Sequence, residues 1–532
     1  MKKIFRISIL GAVVLGALFT SCKKSAFVED NIDPNTLYTV NPEDQFLSAT
    51  IGMQDDFEAY YDTYRRIMPW MQLATDNRGN RKNFTRDVSN FNQRYGKIFF
   101  GRVGPRLADI PQLISKMPAD QQAEYVHIKN IAQIFMAYYA FYVSDINGSM
   151  PYTEAFQARY SGTLTPKYDS QSELFATLEQ QLKDAIGTLK APPTVAQKSL
   201  GRYDQFFNGD ATKWVKVANA VRLRMAMRMS KVDANRMKTI VTDVLSNQAD
   251  QMSSDSDSWV FVARSSSFGS GGNWSPIGLR APKPTLEFMV AKADPRLRLF
   301  YAKNIQGNYV GSYTNPDSAA AHADLYAKGD TIISNLQYRL LDAAEPDRAG
   351  NTVVGNNFYP LITYADVCFM RAELAATSVT SENAADWYTK GVTASIQFYD
   401  LHAKEANVVD YTPVTAAEIT AYLAMPDIAF NPAKAMDQIA SQAYINFYKN
   451  PNEAWALYKR TGLPNNNTVL KLAVLTSDGA ANPIPRRAPL GLLDLTSPNA
   501  PNRKAAYDQM AQDPGFGQDP NDAFGRVWWD KP

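Results

Sequence analysis

Downstream of Pro42, apolar residues recur at three- and four-residue steps over most of the chain. The clearest run is 210–230, where Trp214, Ala218, Val221, Met225 and Met229 fall on one face. That spacing predicts an amphipathic helix. Similar periodicity covers 43–66, 88–116, 119–143, 170–190, 233–247, 361–378, 384–404 and 434–449. A short further helix is bounded by Asn450 as N-cap, Pro451 at the first helical position and Gly462 and Pro464 at the end, with Glu453 placed to complete a capping box. Three pairs are joined by short polar turns: 212–230 with 233–247, 361–378 with 384–404, and 434–449 with 451–461. Antiparallel pairs of this size are the unit of a tetratricopeptide-like solenoid. The expected fold is therefore mainly α, a scaffold of such pairs carrying loop-rich insertions.

Two stretches break the helical rhythm. Residues 251–345 are rich in Ser, Gly, Asn, Tyr and Trp, with short helical pieces near 284–301, and 465–532 hold many Asn, Pro and Gly. Long irregular segments on a compact scaffold are where binding residues concentrate. The organisation read from the chain is 1–21 as an export signal, 22–42 as a tether, 43–250 as scaffold with an early binding loop, 251–345 as a loop-rich insert, 346–464 as continued scaffold and 465–532 as a loop-rich end.

The first segment has its own logic. Lys2, Lys3 and Arg6 precede an apolar run from Ile7 to Phe19, then Thr20, Ser21 and Cys22. A basic start, short apolar middle and small residues at the cut describe a secretory signal. The run is shorter than the roughly 20 apolar residues a spanning helix needs. Cys22 stands where a bacterial lipoprotein is cleaved and lipidated; an ordinary signal with a chance Cys is the alternative. Once Cys22 is set aside only Cys368 remains, in the apolar run Val367–Met370, so no internal disulfide is possible and a buried thiol is expected.

Composition narrows the function. Without residues 1–21, basic and acidic residues nearly balance, which argues against nucleic acid as a partner. Lys213, Lys216, Arg222, Arg224 and Arg228 are read as a solvated or partner-facing helix surface. His127, His322 and His402 lack metal-ligand spacing, and no nucleophile elbow, phosphate loop or dinucleotide fingerprint is present. No catalytic residue, metal or cofactor is assigned. Asp255-Ser256-Asp257 is a fragment of a calcium loop without its Gly and distal Glu, and is read as a solvated loop. A glycosidase built on distant carboxylates stays open.

Several segments, in order, resemble the SusD/RagB family of nutrient-binding outer-membrane lipoproteins of Bacteroidetes. They are SCKKSAFVEDNIDPN (21–35), SDINGSMPYTEAF (144–156), WVKVANAVRLRMAMRMS (214–230), DPRLRLFY (294–301), ITYADVCFMRAELAA (362–376, with Asp366 at a usual Glu), NEAWALYKRTGLP (452–464) and RVWWDK (526–531). The resemblance implies a non-enzymatic protein on the outer membrane, held by a lipid on Cys22. Such a protein captures an oligosaccharide or peptide and closes over a SusC-type TonB-dependent porin. Lys23 and Lys24 stand where surface-displayed members often carry acidic residues. The resemblance also points to two loops as the ligand face. Trp70, Asn77, Arg78, Arg81 and Asn83 belong to the first, and Trp259, Phe268, Asn273 and Trp274 to the second. Aromatic rings that stack on sugar faces beside Asn and Arg that pair with hydroxyls suit a glycan. Trp214, Trp387 and Trp455 are assigned to the core, and Asp294, Arg296, Glu453 and Arg460 to buried charge pairs or caps.

Overall fold

The computed structural model describes residues 40–53, 58–82, 84–264, 278–341, 355–491 and 493–532. Cys22, the tether up to Thr39, Asn83, Phe268, Asn273 and Trp274 lie outside them. No helix among the described residues is long and apolar enough to cross a membrane.

The body beginning at Pro42 is built mainly of helices. Its principal helices are α1 (Pro42–Gly52), α2 (Gly104–Ser115), α3 (Val126–Asn147), α4 (Gln171–Lys190), α5 (Ala211–Arg228), α6 (Ala234–Leu245), α7 (Tyr364–Ala376), α8 (Ala384–Glu405), α9 (Ala435–Asn446), α10 (Pro451–Thr461) and α11 (Ala500–Met510). The three pairs read from the sequence pack against each other as α5 with α6, α7 with α8 and α9 with α10. Several of these helices start where a short polar side chain takes the free amides. Ser170 caps α4 with Glu173 in a capping box, and Thr363 caps α7 with Asp366 in another. Asp210, Asp233 and Asn383 cap α5, α6 and α8. Each such cap is worth about 1 kcal/mol.

Two predicted helices differ in kind. Residues 58–67 and 94–103 wind as π-helices, each running straight into an α-helical segment. The cap of α10 also differs. Asn450 sits at the N-cap without a side-chain bond to the helix, and its amide instead donates to the Pro360 and Leu361 carbonyls. Glu453 makes no capping box because Arg228 takes its carboxylate. Pro451 and a left-handed Gly462 (φ 72°) do bound the helix as expected.

The irregular insert contains a six-residue strand. β2 (Trp259–Arg264) pairs antiparallel with β4 (Asn356–Ile362), and β1 (Thr75–Asp76) pairs with β3 (Leu279–Arg280). Strand periodicity turns Trp259, Phe261 and Ala263 inward and leaves Val262 exposed. The β2–β4 ladder divides its residues between two apolar cores. Trp259, Phe261, Leu361 and Ile362 join a core centred on Phe135, Trp214 and α3–α6, while Phe358 joins a second core containing Phe300, Tyr399 and Trp455.

A buried ionic seam runs between helices that serve the two cores. Arg224 on α5 meets Asp366 on α7 at 2.7 Å. Arg228 on α5 meets Asp145 on α3 at 2.9 Å and Glu453 on α10 at 2.8 Å. Asn446 donates to Asp366 at 2.6 Å, and Arg460 is bidentate to Glu373. The basic residues of α5 read as a solvated surface are thus largely buried: Arg222, Arg224 and Arg228 are inside, and Arg222 pairs with Glu179 and Asp243. Asp294 and Arg296 form a fully buried pair at 2.7 Å, as the charge-pair reading expects.

Candidate functional site

Tyrosines, most of them largely buried, gather around one cleft. Helix α3 carries Tyr138, Tyr139 and Tyr142 near its C-terminal end, and the Tyr138 and Tyr142 rings stack at 6.1 Å with 6° between planes. They line a cleft of about 820 Å³, counted out to its open mouth. Tyr64 stands in the same wall and donates to the Leu341 carbonyl at 2.6 Å. The β2–β4 ladder contributes Phe261, Tyr359, Pro360 and Leu361, and the start of α10 with the turn before it contributes Tyr448, Lys449, Asn450 and Asn452. Its walls are largely apolar with a few fixed polar groups, the kind of lining that small-ligand sites have.

Those polar groups are held by one another. Tyr142 Oη donates to Glu58 at 2.5 Å and accepts from Asn452 Nδ2 at 3.1 Å. The Arg94 guanidinium lies 4.1 Å over the Tyr142 ring and also reaches Asn452. Behind it, Asp62 is completely buried 3.7 Å from Arg94 and accepts from the backbone amides of Asn92, Gln93 and Arg94. Burial nevertheless pushes the Asp62 carboxyl up to about 6. Lys449 donates to Asn357 at 3.2 Å and sits 4.9 Å over the Tyr359 ring. The cleft therefore presents rings, hydroxyls and amides, with Glu58 held by Tyr142 and the Lys449 ammonium set against Asn357 and the Tyr359 ring. Such a lining suits a hydroxyl-rich molecule. Glu58 is the one carboxylate among its described lining residues, whereas glycoside hydrolysis ordinarily uses two.

The sequence-derived site residues fall elsewhere. Trp70 is 1% exposed, with its ring packed 4.9 Å from Phe91 and 5.4 Å from Trp455. Trp259 is fully buried between Trp214 and Tyr138. Neither is a surface platform for a sugar: Trp70 ends a helical turn under the loop, and Trp259 occupies an inward strand position. Arg78 and Arg81 are exposed and Asn77 is half-buried, on a loop that Asp76 helps to turn by accepting from the Arg78 amide at 3.0 Å. None of these five lines the tyrosine cleft. Trp214 and Trp455 are core residues, but Trp387 is half-buried, with Arg371 stacked 3.7 Å over it.

Other chemically suggestive groups are structural. Asp257 accepts from Lys216 and from Ser253, and no cluster of three or more possible metal ligands occurs among the described residues. Cys368 is fully buried, and its thiol is pushed up to about 12 by desolvation. The cleft tyrosines carry one signal in the sequence. Tyr138, Tyr139 and Tyr142 gather polar-tipped aromatics within five residues of the second half of α3.

Comparison with known proteins agrees with this architecture. Residues 34–488 match the SusD-like family described as "Starch-binding associating with outer membrane". No curated protein matches. Similar solved structures include a "Bacteroidetes AC2a SusD-like" protein, with 22% identity and TM-score 0.70 over 93% of this chain and 100% of the other. A chitin-binding protein has 22% identity and TM-score 0.70 over 92% and 100%. A SusD homologue from Bacteroides fragilis NCTC 9343 has 21% identity and TM-score 0.65 over 93% and 100%. With the family match spanning most of the chain and the same helical fold recurring in these structures, the chain belongs to the SusD-like family.

Proposed function

We propose that this protein binds a neutral oligosaccharide in the tyrosine-lined cleft, performs no chemistry on it, and passes it to a SusC-type TonB-dependent porin. The observation that carries the binding reading is the cleft itself: stacked tyrosines beside paired polar groups, with a single carboxylate among its described lining residues. The family description supports a glycan and an outer-membrane setting, and one of the similar structures is named for chitin binding. In this proposal a lipid on Cys22 anchors the chain at the cell surface, and the tether lets the body swing over the porin. Asn77, Arg78 and Arg81 are proposed as further ligand contacts, as are Asn83, Phe268, Asn273 and Trp274 outside the described residues; the burial of Trp70 and Trp259 removes them from that set.

Isothermal titration with starch-derived and chitin-derived oligosaccharides tests the binding step. Saturable binding that Tyr359→Ala weakens supports it. Binding of peptides alone would replace the ligand class, and release of shorter sugars during incubation would replace binding with hydrolysis. Extraction of the lipidated protein from its native membrane tests the partner. Co-purification of a large barrel protein is expected, and purification alone counts against delivery.

A further inference from the structure

Arg94 stands between two carboxylates without closing on either. Its Nε lies 3.7 Å from Asp62 and 3.9 Å from Glu58. Both separations exceed hydrogen-bonding distance, and Nε is a buried donor with no partner. The rest of the guanidinium is fixed: Nη2 reaches Asn452, and Cζ lies 4.1 Å from the centre of the Tyr142 ring. The two acids lie four residues apart on the π-helix 58–67 but differ in setting. Asp62 is fully buried, and its carboxylate accepts from the amides of Asn92, Gln93 and Arg94. Glu58 lines the cleft, with its side chain 13% exposed, and accepts from the Tyr142 hydroxyl at 2.5 Å.

The other charges around this pair are engaged elsewhere. On the same helix, Arg66 meets Asp87 at 2.9 Å and Arg65 donates to Tyr60. On α3, Asp145 is taken by Arg228, and Tyr138, Tyr139 and Tyr142 are neutral phenols whose ionisation burial disfavours. On α10, Glu453 is taken by Arg224 and Arg228, Arg460 by Glu373, and Lys459 lies over the Trp455 and Trp529 rings. Lys449, just before α10, is set against Asn357. Arg94 is thus the charge that bears most on Asp62. Burial outweighs it and the three amide bonds, and raises the Asp62 carboxyl to about 6. A carboxyl raised above its unfolded value contributes stability that is fully present below about pH 4 and is lost as pH rises through about 6, so mild acid does not weaken the fold through this group. Oδ1 takes two of the amides, at 2.9 and 3.1 Å, and Oδ2 only one, at 3.3 Å. The proton therefore goes to Oδ2, the oxygen that faces Arg94 Nε.

We propose that Arg94 is a positioning residue with two settings: held between the acids while Asp62 is ionised, so that Glu58 accepts a ligand hydroxyl, and closed on Glu58 when Asp62 is protonated, so that the cleft binds its ligand more weakly in acid. A guanidinium set between two anions at nearly equal distance is balanced, and neutralising one leaves the pull of the other, which is strong in a buried setting. Closing on Glu58 takes a movement of roughly 1 Å, from 3.9 Å to the distance of a charge-assisted bond. A carboxylate offers about four acceptor sites, so Glu58 takes a ligand hydroxyl beside that of Tyr142 in the first setting and loses sites to Arg94 in the second. The effect on binding rests on the cleft reading above; the movement of Arg94 rests on the two distances and the unpaired Nε.

Crystal structures of the unaltered protein at pH 8 and pH 5 test the movement without any variant. Arg94 within hydrogen-bonding distance of Glu58 at pH 5 but not at pH 8 is expected; the same separation at both overturns the switch. Titration calorimetry with maltohexaose and chitohexaose at the two pH values reads the consequence. At pH 5 about a tenth of Asp62 stays ionised, so affinity should fall roughly tenfold. Asp62→Asn keeps an oxygen for the amides but carries no charge, and should bind weakly and equally at both pH values. Glu58→Gln removes the carboxylate that Arg94 closes on, and should lose the pH dependence. A tenfold fall that persists in Asp62→Asn assigns the titration to another group and overturns the proposal. If Arg94 moves between the two structures while neither sugar binds at either pH, the switch stands and the glycan reading fails. If a sugar binds equally well at both pH values, the glycan reading stands and the control of binding by Arg94 fails.

Discussion

The ionic seam and the tyrosine cleft both place polar groups deep in the body, yet they treat the cost of burial in opposite ways. In the seam, full charges on α3, α5, α7 and α10 close on one another at 2.7–2.9 Å. The small cavity beside them is lined by charges that already have partners. In the cleft, the lining is mostly rings, hydroxyls and amides, with Glu58 and the buried Asp62 facing Arg94 and with Lys449 set against Asn357. Charges that meet side chains of their own body make poor ligand contacts. Neutral donors and acceptors on aromatic walls lose less when a hydroxyl-rich ligand replaces water. The seam therefore reads as architecture and the cleft as the place for binding.

The sharpest way to break that comparison is Arg228→Met. It leaves Asp145 and Glu453 facing each other with one cation fewer, and removing one partner of a buried pair costs about 3–5 kcal/mol. Denaturant unfolding should show a loss of that size, with oligosaccharide affinity unchanged in the protein that remains folded. A fall in affinity without a fall in stability would move the seam into the binding machinery.

The next largest effect concerns pH. Burial pushes the Asp255 carboxyl up to about 7, and its Oδ1 has no hydrogen-bond partner. A folded value raised above the unfolded one means that stability is fully present below about pH 4 and is lost as pH rises toward 7. Asp255→Asn removes the charge that the fold disfavours. It should stabilise the protein above pH 7, by on the order of 2 kcal/mol, and do little near pH 4. Melting curves at pH 4 and pH 8 check the sign. Equal effects at both would show that Asp255 stays ionised through the range.

How much of this is legible in the sequence depends on periodicity. The helix pairs around α5, α7 and α9 are readable because their faces repeat every three or four residues and their ends carry Asp, Thr, Asn and Gly in capping positions. Trp259 misleads because six strand residues inside a long Ser- and Gly-rich stretch give too few alternations to stand out, and an aromatic in an irregular segment looks exposed. The burial of Arg222, Arg224 and Arg228 is hidden for another reason. Apart from Asp243 on the adjoining α6, their partners Glu179, Asp145, Glu453 and Asp366 come from four other helices, far away in sequence. The cleft is invisible for the same reason, since it joins Glu58, Tyr142, Tyr359 and Asn452 from four separate places.

Tyr359→Ala sharpens the other half of the comparison. Tyr359 is half-buried at the cleft, and its hydroxyl accepts from Asn357 Nδ2 at 2.9 Å. Removing a stacking ring costs a ligand about 1 kcal/mol, so affinity should fall roughly five- to tenfold in titration calorimetry. Stability should fall modestly, since the ring is not among the fully buried side chains. Unchanged affinity would remove Tyr359 from the site.

The smallest expected effect decides between the cleft and the loop that the sequence favours. Arg78 and Arg81 are exposed, and replacing both with Ala should change stability by less than about 0.5 kcal/mol. If the cleft is the main seat, a neutral oligosaccharide loses less affinity in Arg78→Ala/Arg81→Ala than in Tyr359→Ala. The reasoning is electrostatic. Two solvated guanidinium groups gain little from uncharged hydroxyls that water does not already give them, and they lose side-chain freedom in making the contact. An acidic glycan would reverse the order, because charge-assisted bonds to Arg are about twice as strong as neutral ones. Titrating both variants with a neutral and a carboxylated oligosaccharide of equal length separates the cases. A larger loss in the arginine variant for both sugars would place recognition on the loop after β1 and reduce the tyrosine cleft to packing.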